Sequence, residues 1–353
     1  MAIEGDLVDL SRAAIAPLPV GSGSYTELRR IIKEQGLLER QPLRALARLL
    51  IIDALLVVSV TLLLTVHLFW FQIFNALLLA FATAQLGFNG HDAGHRQSFG
   101  SIRMNDVVGL IHGNLGVGMS FSWWLDKHNR HHSHPNELDT DPDIDIPLMC
   151  FTAADAAQRR GALRLVARYQ ALLFIPLLCL VALDLQRSSV AWLLAGKARH
   201  SKTEALLLLG HLVGYLALVF VALPWWQGLI FIVIHQLASG LYLGSVFAPN
   251  HKGMLITERS ERLDFLPRQV LTARNVRGNP FIDMWYGGLN YQIEHHLFPT
   301  MPRGHLLAAR RIIKAYCEQS ALTYHETGMA RSYVEILDFL HAVGAPARAP
   351  LAA

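Results

Sequence analysis

The chain of 353 residues is 52% hydrophobic and only 16% charged, with a mean hydropathy of +0.31, whereas a soluble domain carries about 25% charge. Its net charge of +4 comes without a Lys/Arg block or an interleaved aromatic–basic pattern, which excludes a nucleic-acid partner and suits the cytoplasmic-side bias of a membrane protein. Cys150, Cys179 and Cys317 form no C-x-x-C pair, so neither a disulfide framework nor a thiolate metal site is expected.

Residues 1–20 read as irregular, and no basic stretch followed by an apolar core marks a signal peptide. Ser24-Tyr25-Thr26-Glu27 has capping-box spacing. The following LRRIIKEQGLLER sets Leu28, Ile31, Ile32 and Leu37 among basic residues, as in an amphipathic helix at a membrane surface or one packed on a partner. Four apolar runs, 49–69, 72–88, 205–223 and 228–248, approach the roughly 20 residues that span lipid. Each pair is joined by a short aromatic stretch, FWF or PWWQ, without Lys or Arg, which fits an interfacial belt on the far side.

Arg29, Arg30, Lys33, Arg40, Arg44 and Arg48 precede the first run, and Arg96, Arg103, Lys127, Arg130, Arg159 and Arg160 lie between the pairs. This bias puts both termini and the long central segment in the cytoplasm. A fifth run, 171–185, is short and broken by Pro176; as a full crossing it would put the basic C-terminal third outside. It is therefore expected to be interfacial or re-entrant. The expected fold is all-α and polytopic: four transmembrane helices in two hairpins, with a cytoplasmic helical cap.

Seven of the 17 histidines fall into three groups. His91 and His95 in HDAGH are four apart; His128, His131 and His132 in HNRHH, and Gln292, His295 and His296 in QIEHH, follow i, i+3, i+4. That spacing puts each group on one helix face, and all three groups fall just beyond membrane helix ends on the cytoplasmic side. Seven imidazoles in one place would repel one another if protonated and be costly to bury unsatisfied; metal coordination resolves both. Seven donors exceed one tetrahedral shell and point to a dinuclear site. No E-x-x-H carboxylate pattern or H-E-x-x-H is present. An all-nitrogen site beside apolar helices suggests oxygen activation against a lipid chain. His67, His112, His211 and His235 are expected to be packing residues, His134 a helix-end or surface residue, and His200, His305, His325 and His341 surface residues. The acidic run Asp139, Asp141, Asp143, Asp145 reads as a solvated loop.

GHDAGH, HNRHHSHPN and NYQIEHHLFP resemble the three histidine boxes of the integral-membrane fatty acid desaturases, in order, spacing and relation to paired membrane helices. The resemblance covers roughly residues 45–315. It implies a division into an N-terminal cytoplasmic or interfacial segment (1–45), the desaturase domain (46–315) and a C-terminal cytoplasmic tail (316–353). It implies a cis double bond inserted into an acyl-lipid or acyl-CoA chain, with O2 and two electrons, at a non-haem di-iron centre where zinc can substitute on overexpression. A lipid hydroxylase or ketolase shares the scaffold, and a non-enzymatic metal or haem transporter is the rival from another class. The Gln-containing third box is similar to the front-end (Δ5/Δ6) branch, yet bacterial relatives with the same box act as Δ9 enzymes, so the bond position stays open.

The resemblance also implies a further ligand after the fourth membrane helix, where APNHKG offers Asn250 and His251. The expected ligands are His91, His95, His128, His131, His132, His251, His295 and His296. Gln292, Asn250, Asp92, Asn129, Glu294 and Asp283 are candidates for bonding to ligands or a metal-bound water. Phe121, Trp123, Trp124, Trp285 and Tyr286 either line an acyl slot or anchor the chain at the interface. The sequence carries no HPGG haem motif, flavin or Rossmann signature, so a separate ferredoxin or reductase is the expected electron donor. The expected location is a bacterial cytoplasmic membrane.

Overall fold

The structure, a computed structural model, describes residues 25–261 and 263–349; residues 1–20 and the Ser24 cap lie outside the described residues. α1 (Tyr25–Glu34) buries Leu28 and Ile32 and pairs Arg30 with Glu27 and Glu34 on its exposed face. Its apolar stripe packs on Leu297, Leu306, Ile313 and Tyr316 of the C-terminal helices, and the Tyr25 hydroxyl donates to the Leu297 carbonyl (2.9 Å). The packing alternative for this segment is thus the one observed.

α2 (Pro42–Thr65) starts with proline, whose missing N–H is harmless at that position. α3 (Phe69–Gly94) returns beside it. Their polar residues satisfy one another: Ser59 Oγ donates to Asn75 Oδ1 (2.8 Å), and Gln72 Nε2 to the Leu62 carbonyl (2.9 Å), as lipid-embedded polar groups must. His67, in the turn between these helices, is exposed; it was expected to pack, but the turn leaves it nothing to pack on.

α4 (Ile102–Gly109) runs into a π-helical stretch, Leu110–Val117. Gly118 then turns the chain at φ +76°, which suits glycine, and α5 (Phe121–Ser133) comes back, capped by Ser120 Oγ on the Trp123 N–H. Close approach to α3 is allowed by glycine: a Cβ on Gly94 would overlap the Trp124 ring.

After α6 (Ala153–Gln158), α7 (Gly161–Leu178) is kinked at Tyr169 and contains Pro176. α8 (Val181–Leu194) follows after a turn at Cys179. The expected single run 171–185 is therefore split: Pro176 removes a helical N–H, and the helix ends two residues later. α9 (Ser201–Ala222) and α10 (Trp225–His251) form the second long hairpin. The α7–α8 turn sits on α10, where a Cβ on Gly240 would overlap the Cys179 carbonyl oxygen. Among the described residues, five helices are long and apolar enough to cross a membrane: α2, α3, α7, α9 and α10.

α11 (Phe265–Leu271), β1 (Asn275–Val276), α12 (Pro280–Trp285), α13 (Gln292–Leu297), α14 (Leu306–Gln319), β2 (Glu326–Thr327), α15 (Met329–Val343) and α16 (Ala345–Arg348) complete the chain. β1 and β2 pair in parallel, Asn275 opposite Glu326. The 315/316 division falls inside α14, and α15 packs its Ile336 and Leu340 with Phe174 and Leu178 of α7. These elements lie across the ends of α3 and α10: Gln97 donates to the Pro299 carbonyl and Arg303 to that of Phe88. His305 bridges Gln41 and the Leu37 carbonyl, and His325 bonds Glu335 (2.9 Å), so neither is the free surface residue expected.

Candidate metal centre

α3 delivers His91 in its last turn and His95 as its C-cap, and α5 delivers His128, His131 and His132. α10 ends on His251, and the short α13 carries His295 and His296. The eight imidazoles converge. His91, His95, His128 and His295 each have a ring nitrogen within 4.8 Å of the others. His132 joins them, its Nε2 lying 3.1 Å from His128 Nε2 and 3.1 Å from His295 Nε2. His131, His251 and His296 form a second group, with His131 and His251 Nε2 3.2 Å apart. The His132 ring stacks on that of His296 at 4.2 Å and joins the two groups.

The second group is tightly oriented. His131 Nδ1 bonds both oxygens of buried Asp141 (3.0 Å each). His251 Nδ1 donates to the Thr272 carbonyl (2.9 Å), and His296 Nδ1 to Gln269 Oε1 (2.8 Å). In the neutral rings each Nε2 is thereby left as a lone pair facing the group's centre. Asn136 ties the same elements together, donating from its side chain to the carbonyls of His251 (3.0 Å) and Leu255 (3.1 Å) and from its N–H to Asp141 (2.7 Å).

Burial first, and then the charge of neighbouring imidazoles, pushes the pKa of His95, His128, His132, His295 and His296 well below the ordinary histidine value. These rings are neutral, the form that binds metal. His131 differs: burial pulls it down, but Asp141 and Asp143 outweigh burial and raise it. Both ring nitrogens of His91, Nδ1 of His132 and His295, and Nε2 of His296 are buried without a hydrogen bond. Of these, His296 Nε2 and one ring nitrogen of His91 are lone pairs that are costly to bury unless something accepts them, and with the other cluster-facing nitrogens they make a donor set that fits metal ions. His131, Asp141 and Asp143 form a third cluster. Lys127 already pairs with Asp143, and Lys252 Nζ donates to the Asp143 carbonyl, so its positive charge comes from the protein.

The acidic run is therefore only partly a solvated loop: Asp139 and Asp145 are exposed, whereas Asp141 is buried and orients His131. Asp141, Gln269, Thr272 and Asn136 are site residues the sequence did not single out. Only Asp141 left a signal, an acid ten residues after a box histidine. Among the expected helpers, Gln292 Nε2 lies 3.0 Å from His251 Nε2, and Asn250 Nδ2 donates to Gln292 Oε1 (2.9 Å). Asp92 pairs with Arg303 (2.9 Å) and lies 3.5 Å from His91 Nδ1. Asn129 is exposed, one position off the stripe of α5 that carries the box histidines, and its side chain does not reach the imidazoles. Asp283 accepts from Asn290 (2.9 Å), and Glu294 from Asn275 (2.6 Å) and Tyr324 (2.7 Å). Both carboxylates brace the loop and helix carrying the third box, away from the imidazole nitrogens. Burial raises Glu294 to about 7.

The sequence matches the fatty acid desaturase family over residues 68–328, most of the chain. The chain belongs to the fatty acid desaturase family. Similar proteins include an acyl-lipid (9-3)-desaturase of Physcomitrium patens, 31% identical over 344 residues, 93% of this chain and 64% of that protein. A delta(6)-fatty-acid desaturase of Caenorhabditis elegans is 35% identical over 272 residues, 73% of this chain and 61% of its own. A delta(8)-fatty-acid desaturase of Arabidopsis thaliana is 28% identical over 318 residues, 86% of this chain and 70% of its own. The chain spans less than two-thirds of the length of the first two. Family membership and the apolar helices make it a multi-pass integral membrane protein.

In this desaturase-family chain the expected slot aromatics divide. Trp124 stacks on His128 (4.4 Å) and lies edge-on to His91 (5.4 Å), so it walls the imidazoles. Trp123 packs with Leu86, Val117 and Met119. Trp285 and Tyr286 sit in the α3–α10–α12 core, Trp285 against Tyr242 at 4.0 Å.

Proposed function

We propose that the chain is a membrane-bound fatty acyl desaturase of the front-end type, acting on an acyl-lipid or acyl-CoA at a pair of irons. The observation that carries this reading is the meeting of eight imidazoles, from three boxes and the end of α10, in two groups. The proposed reaction is R–CH2–CH2–R′ + O2 + 2 e⁻ + 2 H⁺ → R–CH=CH–R′ + 2 H2O, with the electrons from a ferredoxin or separate reductase. Two irons, when bound, supply the oxidising power that no side chain has. His91, His95, His128, His132 and His295 would hold one ion, and His131, His251 and His296 the other. Asp141, the Thr272 carbonyl and Gln269 fix the ring orientation of the second set, and Trp124 shields the first. The acyl chain would approach past Trp124.

For topology, we propose that α2, α3, α9 and α10 cross the membrane, with both termini and the imidazoles on the cytoplasmic face. An odd number of crossings between His131 and His251 would put them on opposite faces, yet their Nε2 atoms are 3.2 Å apart. α7 and α8 therefore enter and leave on one side. Their turn reaches Gly240, eleven residues before His251, or about 16 Å along the helix at 1.5 Å per residue. The imidazoles lie at helix ends, whereas transport ligands belong near the midplane.

The test is expression in a host supplying a reductase, with fatty acids profiled by mass spectrometry. New double bonds are expected; new hydroxylated chains instead would replace the desaturase with the hydroxylase.

A further inference from the structure

The two imidazole groups are built unequally, and the difference bears on where a small molecule can reach the metals; this rests on the dinuclear reading above. His91, His95, His128 and His295 bring four nitrogens together, and His132 Nε2, 3.1 Å from those of His128 and His295, adds a fifth at the edge of that group, which would nearly fill a six-coordinate shell. His131, His251 and His296 offer three, and three protein ligands leave positions open to exogenous ligands. Beside the three stands the Gln292 amide, buried, with its oxygen held by Asn250 (2.9 Å) and its nitrogen 3.0 Å from His251 Nε2. His251 Nδ1 already donates to Thr272, so His251 Nε2 is a lone pair and the Gln292 N–H points at it. Once an ion takes that lone pair, the N–H loses its acceptor. Being buried, it then needs another one, and the nearest candidate is whatever occupies the ion's open position.

We infer that small exogenous ligands bind the ion held by His131, His251 and His296, and that the Gln292 amide, positioned by Asn250, donates a hydrogen bond to them. The third box thus carries a glutamine, a hydrogen-bond donor, at a place where another imidazole would take up one of the open positions.

The probe is azide added to the oxidised, iron-loaded protein, read by azide-to-iron charge-transfer absorption, with iron counted in the same samples. Wild type is expected to hold two irons and to bind azide. Gln292→Leu should keep both irons and bind azide about tenfold more weakly, the effect of one lost hydrogen bond of about 1.4 kcal/mol. Gln292→Glu should weaken azide more than Gln292→Leu does, because its carboxylate competes for one of the open positions and adds negative charge beside the anion. Asn250→Ala leaves Gln292 in place but unties it, and should weaken azide several-fold even if a Gln292 variant fails to fold. His296→Ala protein retaining one iron should show no azide band. Wild-type azide affinity in the Gln292 and Asn250 variants, or a persistent band in one-iron His296→Ala, overturns the inference while the dinuclear site stands. Fewer than two irons in wild type overturns the dinuclear reading itself, and the inference with it.

Discussion

In their most apolar stretches α2 and α9 are more apolar than α3 and α10, and the two pairs do different work. In the most apolar stretch of each helix, 17% of residues are buried in α2 and 6% in α9, against 61% in α3 and 44% in α10. The outer helices turn leucines and valines such as Leu50, Leu209 and Val221 outward, where lipid tails are as good a neighbour as another side chain. The inner pair buries Gln85, Asn89, His235, Gln236 and Ser239 and ends on His91 and His251. Within a membrane, buried polarity rather than hydrophobicity marks the elements that position chemistry.

The comparison breaks most sharply at the inner helix ends. His131→Ala removes one of only three nitrogens in its group. Product formation should fall below detection and bound iron should drop from two towards one, measured by elemental analysis. Full iron content with retained product would separate His131 from the metals. Asp141→Asn is the next largest effect. It keeps the shape but loses the charge that orients His131, and loss of such outer partners typically costs about 10–100-fold in metal affinity or activity. Activity within twofold of wild type at limiting iron would show that the Asp141 contact is idle.

Gly240→Leu tests the inner packing away from the metals. Its side chain would displace the Cys179 turn, and overpacking of this kind costs about 1–3 kcal/mol. A lowered thermal midpoint in detergent is expected, and an unchanged one would mean that α7–α8 is not seated on α10.

How far the sequence disclosed all this depends on how local each cause is. Apolar runs of about 20 residues and histidines at i, i+3, i+4 are local patterns, so the long helices and the grouping of seven imidazoles were visible in them. His251 was found only through its place after the fourth apolar run. Which helix pair lies inside was not read from the apolar runs, although side-chain amides (Gln72, Asn75, Gln85 and Gln236) occur only in the runs 72–88 and 228–248 and not in 49–69 or 205–223. The partners of the ring nitrogens were hidden. Gln269 and Thr272 reach His296 and His251 only because α11 folds under α10 and α13, and Asp141 looked like one more acid in an exposed loop. Likewise α1 presents the same stripe whether it meets lipid or Leu297.

The smallest expected effect is the most exacting for the outer pair. Gly214 on α9 has open space where a Cβ would sit, whereas Gly240 on α10 meets a backbone carbonyl. Gly214→Ala should therefore cost nothing in packing and, because glycine is the poorer helix former by up to about 1 kcal/mol, leave the thermal midpoint equal or slightly raised, with activity unchanged. Gly240→Ala should lower the midpoint, so one chemical change has opposite signs on the two helices. If Gly214→Ala lowered the midpoint too, something other than lipid would cover that face of α9, and the division into a lipid-facing and an inner pair would fail there.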